Sequence, residues 1–419
     1  MPIIRSLLDT DFYKFTMCNF IRHYYPSVEV GYSFKCRTPN VSLAKLIDEG
    51  RLREELDHVR SLGFRTDEVR YLGSLKADNQ HIFNRSFLNH LTEVQVLPYY
   101  HLEVVDDTFK IEFEGRWSRA IWWETFCLSI VNELYADAIS HSVETFRKET
   151  QLDLVQSYMK EGLTRLEEKK RRLRRCPDLK FIDYGTRRRR SRLWQEVVAD
   201  NLITTMPKQF SGTSNVFLAK EYGLEPKGTM AHELDMGLQG EVHLYESFDK
   251  MGGVHDRVMD GWEEMYGYSL RINLPDTFGS EWALNTMSYD RMKNWRGERH
   301  DSGHPFWFAD QRIKRWNSYG IDSREKVIVF SDGLEVDRIM TLHLCYKDKV
   351  QPLFGLGTNL MFDVGIKPIS IVVKLTKSNG FPTVKLSDNL AKATGPPKMI
   401  ERFKKQFGYT ENLHEECTY

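Results

Sequence analysis

Between Leu179 and Leu360 short apolar runs alternate with stretches of helical period, and seven of these runs finish in a small, polar or charged tip. The tips are Tyr184-Gly185-Thr186, Gly212-Thr213-Ser214, His232 within Gly228-Thr229-Met230-Ala231-His232-Glu233, Asp276-Thr277, Asp301-Ser302-Gly303, Ser331-Asp332-Gly333 and Gly355-Leu356-Gly357-Thr358. Strand and helix at this spacing form βαβ units, which favours a parallel, closed α/β sheet over a meander. In such a sheet the carboxyl ends of the strands converge on one mouth, so chemistry-bearing residues at the run ends predict an enzyme.

The flanking segments read differently. Residues 1–118 mix strand-like alternation, as in Val28–Lys35, with short amphipathic helices around 43–62, which predicts an N-terminal α+β domain. From Ser118 the period lengthens, with Ile121, Phe126, Ile130, Leu134 and Ala138 on one face. This predicts a long buried helix and then a charged one whose exposed end is Lys169–Arg175, both leading into a barrel domain over 119–362. Residues 363–419 return to strand character at Ile369–Leu375 and are expected to fold back on the N-terminal layer.

Lys plus Arg equals Asp plus Glu at 59 each, so no overall field recruits nucleic acid or an anionic membrane, and neither is an expected partner. Cys18, Cys36, Cys127, Cys176, Cys345 and Cys417 show no CxxC, which argues for free thiols and against zinc. With no apolar leader and no run of 18 apolar residues, the expectation is a soluble, cytoplasmic protein.

Each tip has more than one reading. Gly355–Asn359 and Ser331–Gly333 suit backbone cradles for phosphate, or are ordinary left-handed turns. Asp276 and Asp301 suit hydrated Mg²⁺ or sugar hydroxyls, or are helix N-caps. Arg299 lies two residues before Asp301, on the same side of an extended strand, where a guanidinium can clamp a carboxylate. His232 lacks an HxxxH or HxxE spacing, which argues against metal ligation. Arg187–Arg190 with Arg192 is a solvated face, an RNA contact or, following a strand end without interleaved aromatics, the site of a small anion.

Leu7–Lys14, DYGTRRRRS at 183, GTSNV at 212, GTMAHE at 228, RHDSG at 299, FSDGLEVD at 330 and FGLGTNL at 354 together resemble the nicotinate phosphoribosyltransferase family, in order from Ser6 to about Asp363. The length resembles that of its shorter, ATP-coupled bacterial and fungal branch. The resemblance implies an irregular α/β barrel of the type II phosphoribosyltransferases, flanked by an α+β domain formed by the N-terminal part and the C-terminal tail. It implies condensation of nicotinate with 5-phosphoribosyl 1-pyrophosphate to nicotinate mononucleotide and pyrophosphate, a salvage step toward NAD. Mg²⁺ would be the cofactor and ATP a co-substrate coupled through a phosphohistidine, which His232 matches.

By the same resemblance Tyr184 stacks on one face of the pyridine and Tyr13, supported by Asp11, reaches the other from a neighbouring subunit, hence an expected homodimer. Arg299 pairs with the nicotinate carboxylate and Arg187 lies at the base and phosphate end. Asp276 and Asp301 hold ribose hydroxyls or Mg²⁺, and Gly333, Gly357 and Thr358 hold the 5-phosphate. Ser214 replaces the aspartate of nicotinamide-using relatives, which favours the anionic base; the GTMAHE histidine argues against a quinolinate-type enzyme. Two residues depart from the family pattern: Tyr184 replaces phenylalanine, and His304 replaces an expected acid in DSGHP, predicting a changed charge near Asp301.

Overall fold

The computed structural model describes residues 1–92, 97–145 and 151–410, with the last turn of one helix, 141–145, and the start of the next, 151–155, described by backbone alone. Its strands are β1 (Glu29–Cys36), β2 (Lys76–Ala77), β3 (Gln80–His81), β4 (Tyr100–Val105), β5 (Thr108–Arg116), β6 (Lys180–Asp183), β7 (Phe210–Thr213), β8 (Ile272–Asn273), β9 (Gly297–His300), β10 (Val327–Phe330), β11 (Gln351–Leu356), β12 (Ile371–Ser378) and β13 (Phe381–Pro382). Cys417 lies outside the described residues; the other five cysteines are free. Among the described residues no helix is long and apolar enough to cross a membrane.

Six strands form a parallel sheet in the order β7-β6-β11-β10-β9-β8, the core of an irregular α/β barrel. All four residues of β10 are buried, as continuous apolar runs covered on both faces require. The seventh expected run is not a strand. Pro226 removes a ladder donor and Gly228 adopts φ 138, so the segment before His232 stays irregular. It nevertheless bridges the open edges: the Lys227 amide donates to the Thr213 carbonyl at 2.9 Å, and the Thr229 hydroxyl to the Ile272 carbonyl at 3.4 Å.

A second, antiparallel sheet runs β13-β12-β1-β5-β4. The late strand β12 pairs with β1 from Val30↔Ser378 to Cys36↔Ile371, so the two ends of the chain share one sheet. The helix Trp123–Thr145 touches both β12 and the Thr186–Arg188 turn that follows β6. Its Ser129 hydroxyl and Asn132 amide donate to the Thr186 and Arg187 carbonyls at 3.0 and 2.8 Å. These bonds fix the position of Arg187 on the barrel.

The helix Gln151–Leu173 corrects one expectation. Leu166, Lys170 and Leu173 share a face at i, i+4 and i+7 and are buried, so the basic end is only partly exposed. Lys170 Nζ donates to Asn201 Oδ1 at 2.6 Å and to the Thr205 hydroxyl at 3.2 Å. Glu167 one turn earlier pairs with the same ammonium, so the buried cation is both neutralised and hydrogen-bonded.

Candidate active site

The barrel tips gather around a cavity of about 270 Å³. Asp11, Tyr13, Tyr184, Arg187, Ser214, His232, Arg299, Asp301, Gly333, Gly357 and Thr358 all line it. Asp276 does not.

The aromatic end is built on Asp183, the last residue of β6. Its buried carboxylate accepts from the Gly185 amide at 2.7 Å, the Thr213 hydroxyl at 2.7 Å and Gln195 Nε2 at 2.8 Å. Burial pushes its pKa up to about 6 against these donors. The brace holds the tips of β6 and β7 side by side, and Tyr184 follows β6 directly, its amide donating to the Leu356 carbonyl of β11 at 2.8 Å. A Cβ on Gly355 would stand 2.2 Å from Tyr184 Cδ2, so only glycine leaves room for the ring.

Tyr13 reaches the cavity from the same chain, which corrects the expectation of a neighbouring subunit. The Phe12–Tyr24 helix docks on the mouth because the Phe12 amide donates to the Ser214 carbonyl at 2.8 Å. The pocket therefore holds both rings in one protomer, and the argument for a homodimer from Tyr13 loses its basis. Tyr13 OH donates to Glu124 at 3.2 Å and accepts from Arg187 Nη1 at 3.2 Å. Ser214 Oγ donates to Asp11 at 2.6 Å. Burial raises the Asp11 pKa, opposed chiefly by Arg187. An aspartate at 214 would thus meet Asp11 as well as an anionic ligand.

The arginine run divides. Arg187 and Arg188 line the cavity. Arg189 forms a buried two-pronged pair with Asp9 at 2.6 and 2.9 Å, Arg190 pairs with Asp137 at 2.7 Å, and Arg192 pairs with Glu196. The last three are scaffold, not an exposed basic stripe.

Arg299 projects from β9, its Nη1 bonded to the Met230 carbonyl at 2.9 Å and its Nε 3.8 Å from Asp301. That Nε is buried and makes no hydrogen bond. The guanidinium as a whole lines the cavity, where a charged planar fork suits an anion. Burial would raise the Asp301 pKa, but Arg299 and His232 hold it well below the usual carboxylate range.

His232 is held at both ring nitrogens, with Nδ1 3.0 Å from the Thr277 hydroxyl and Nε2 3.0 Å from Asp301. Burial lowers its pKa more than Asp276 raises it, favouring the neutral imidazole. Asp276 sits behind the ring, its Oδ1 3.5 Å from Nε2, and accepts from the Ser302 hydroxyl at 2.5 Å. Its place under His232 argues against the sugar-hydroxyl role. His232, Asp276 and Asp301 bring ligand atoms within 4.8 Å of one another although no sequence spacing announces it. Two carboxylates, one with a buried oxygen lacking a hydrogen bond, fit a hydrated Mg²⁺, which prefers oxygen and keeps several waters. His304 is exposed, accepts from the Trp307 amide at 3.3 Å as an N-cap, and is not among the residues that line the cavity.

At the opposite end Gly333 adopts φ 53 in a left-handed turn, and Asn359 Nδ2 donates to the Leu334 carbonyl at 3.0 Å, tying the two glycine tips together. The facing wall was not legible in the sequence: Arg37, Lys374, Lys385 and Lys392 come from β12 and its surroundings. The only signal was a lysine inside the apolar run Ile371–Leu375. Glu124, Lys14 and Glu233 were likewise missed, the last two although they lie within the quoted motifs.

Residues 179–411 match the nicotinate phosphoribosyltransferase (NAPRTase) family model, and residues 8–132 match the model of that family's N-terminal domain. The chain is similar to the solved nicotinate phosphoribosyltransferase of Vibrio cholerae, with a TM-score of 0.85 and 30% identity over 98% of this chain and 94% of the other. It is similar to that of Porphyromonas gingivalis at 0.82 and 27%, over 97% of this chain and 100% of the other.

Proposed function

The chain belongs to the nicotinate phosphoribosyltransferase family, and from that premise we propose that it condenses nicotinate with 5-phosphoribosyl 1-pyrophosphate, coupled to ATP hydrolysis through His232. The observation that carries this reading is Arg299, with its unsatisfied buried Nε, sharing one cavity with Tyr184, Tyr13 and the glycine tips. The guanidinium takes the carboxylate and the two tyrosines orient the ring. Gly333, Gly357 and Thr358 supply donors to the 5-phosphate.

Bond making needs little covalent help from the protein. The pyridine nitrogen attacks C1 of the ribose as the C1–O bond to pyrophosphate breaks, leaving oxocarbenium-like charge in transit. Lys374, Lys385 and Lys392 line the wall where the departing anion gathers charge. When bound, Mg²⁺ supplies further positive charge to that anion, and Asp301 and Asp276 are the residues that would hold it.

A neutral His232 nitrogen attacks the γ-phosphorus of ATP; the N–P bond forms as the bond to the ADP oxygen breaks, and water later releases phosphate. About two added negative charges at this point attract the cations of the mouth and raise substrate affinity. The product enters the salvage route to NAD, and the free thiols suit a reducing cytoplasm.

Pyrophosphate release measured with nicotinate and with nicotinamide, each with and without ATP, tests the proposal. Turnover of nicotinate, increased by ATP, is expected. Equal use of nicotinamide would overturn it.

The lysine wall makes a pH prediction. Burial, reinforced by Lys385, Arg37 and Lys392, pushes the Lys374 ammonium down to about 6. Above that pH the free protein holds Lys374 largely neutral, and a bound polyanion raises its pKa. Pyrophosphate binding should therefore take up a proton above about pH 6 and weaken as pH rises further. Calorimetry in buffers of different ionisation enthalpy reads the uptake, which Lys374→Met should reduce; the lowered Lys385 ammonium on the same wall accounts for the remainder.

A further inference from the structure

A charge chain is built into the pocket wall, with Arg187, Glu124 and Glu233 lining the cavity and Lys14 behind them. The Lys14 side chain is 0% exposed, with Nζ 2.6 Å from Glu124 and 2.7 Å from Glu233. Glu124 also pairs with Arg187 and accepts from Tyr13 OH at 3.2 Å. Glu233 accepts from the Tyr32 hydroxyl and from Trp117 Nε1 at 2.9 Å. It is the first residue of the Glu233–Tyr245 helix, directly after His232, whose own backbone is already helical. A second tie runs in parallel, from the Thr16 hydroxyl to the Thr229 carbonyl at 2.6 Å.

We propose that Lys14 is a positioning residue that couples occupancy of the base pocket to the phosphorylation of His232. This rests on the reading of His232 as the phosphorylated group. The two cations and two carboxylates of the chain cancel, and the central three cannot change partner without the next responding, because Lys14 is fully buried and Glu124 and Glu233 nearly so. A base whose carboxylate sits on Arg299 adds negative charge to the cavity that Arg187 also lines, and so competes with Glu124 for the Arg187 guanidinium. Glu124 then leans on Lys14, which loosens its hold on Glu233 and shifts the start of the helix that carries His232. By linkage, if phosphate on His232 tightens the base, the base must favour that phosphate by the same factor.

The test is transfer of label from γ-labelled ATP to His232, with and without nicotinate, in the wild type, Lys14→Met and Lys14→Arg. Nicotinate should raise the labelling of the wild type by about fivefold or more. Lys14→Met should take label yet respond by less than about twofold, and Lys14→Arg should keep most of the response. Should Lys14→Met fail to fold, Glu233→Gln removes the charge that Lys14 contacts while keeping the side-chain shape, and should lose the response too. A labelled wild type indifferent to nicotinate, or variants that retain the full response, would overturn the coupling. A wild type that takes no label would overturn the His232 reading itself, and the coupling with it.

Discussion

Arg299→Leu should lower kcat/KM for nicotinate by roughly two to three decades, mostly through KM. The ligand carboxylate would lose the guanidinium that neutralises it, and breaking a buried ion pair from one side costs about 3–5 kcal/mol. Each 1.4 kcal/mol is about a factor of ten. Arg299 also holds the Met230 carbonyl and lies 3.8 Å from Asp301, so some loss in kcat is expected alongside. Steady-state kinetics with each substrate varied in turn separate the two effects. Arg299→Lys should recover part of the loss, since it returns the charge without the planar fork. If KM for 5-phosphoribosyl 1-pyrophosphate rises as much as that for nicotinate, Arg299 serves the sugar phosphate and the assignment fails.

His232→Ala should reduce acid-labile phosphate on the protein to background and remove the ATP-dependent gain in affinity altogether. Condensation without ATP should persist at a rate lowered by up to about tenfold, because Asp301 loses a charge-assisted hydrogen bond made at 3.0 Å. Intact-mass measurement after acid and alkaline quench reads the phosphate, and the nicotinate KM with and without ATP reads the coupling. A variant that still gains affinity from ATP would show that the phosphoryl group acts elsewhere.

Much of the barrel was legible because its strands are short, apolar and bounded by glycine or acid, as at Val327–Phe330 before Ser331-Asp332-Gly333. The run before His232 was misread as a strand: its tip has the same chemistry, but Pro226 and Gly228 prevent a ladder. Asp276 and Asp301 looked equivalent in sequence, each closing a run. Only packing separates them, one fully buried behind the imidazole and the other facing the cavity. The arginines 187 to 192 also looked alike, and Asp9, Asp137 and Glu196 withdraw three of them from the site.

What the order of residues determined by itself is local: which runs suit the short strands of a parallel sheet, which tips carry ligand-binding groups, and the set of motifs that identifies the family. Periodicity, turn chemistry and adjacency act over a few residues, so they survive in a linear reading. Tertiary structure decided which distant groups share a charge. Lys14, Glu124 and Glu233 are separated by more than a hundred residues at each step, as are Arg37 and Lys374 on the cationic wall. Such pairings arise when two chain ends close one sheet and desolvate what lies between, and electrostatic strength there depends on burial that no local spacing encodes.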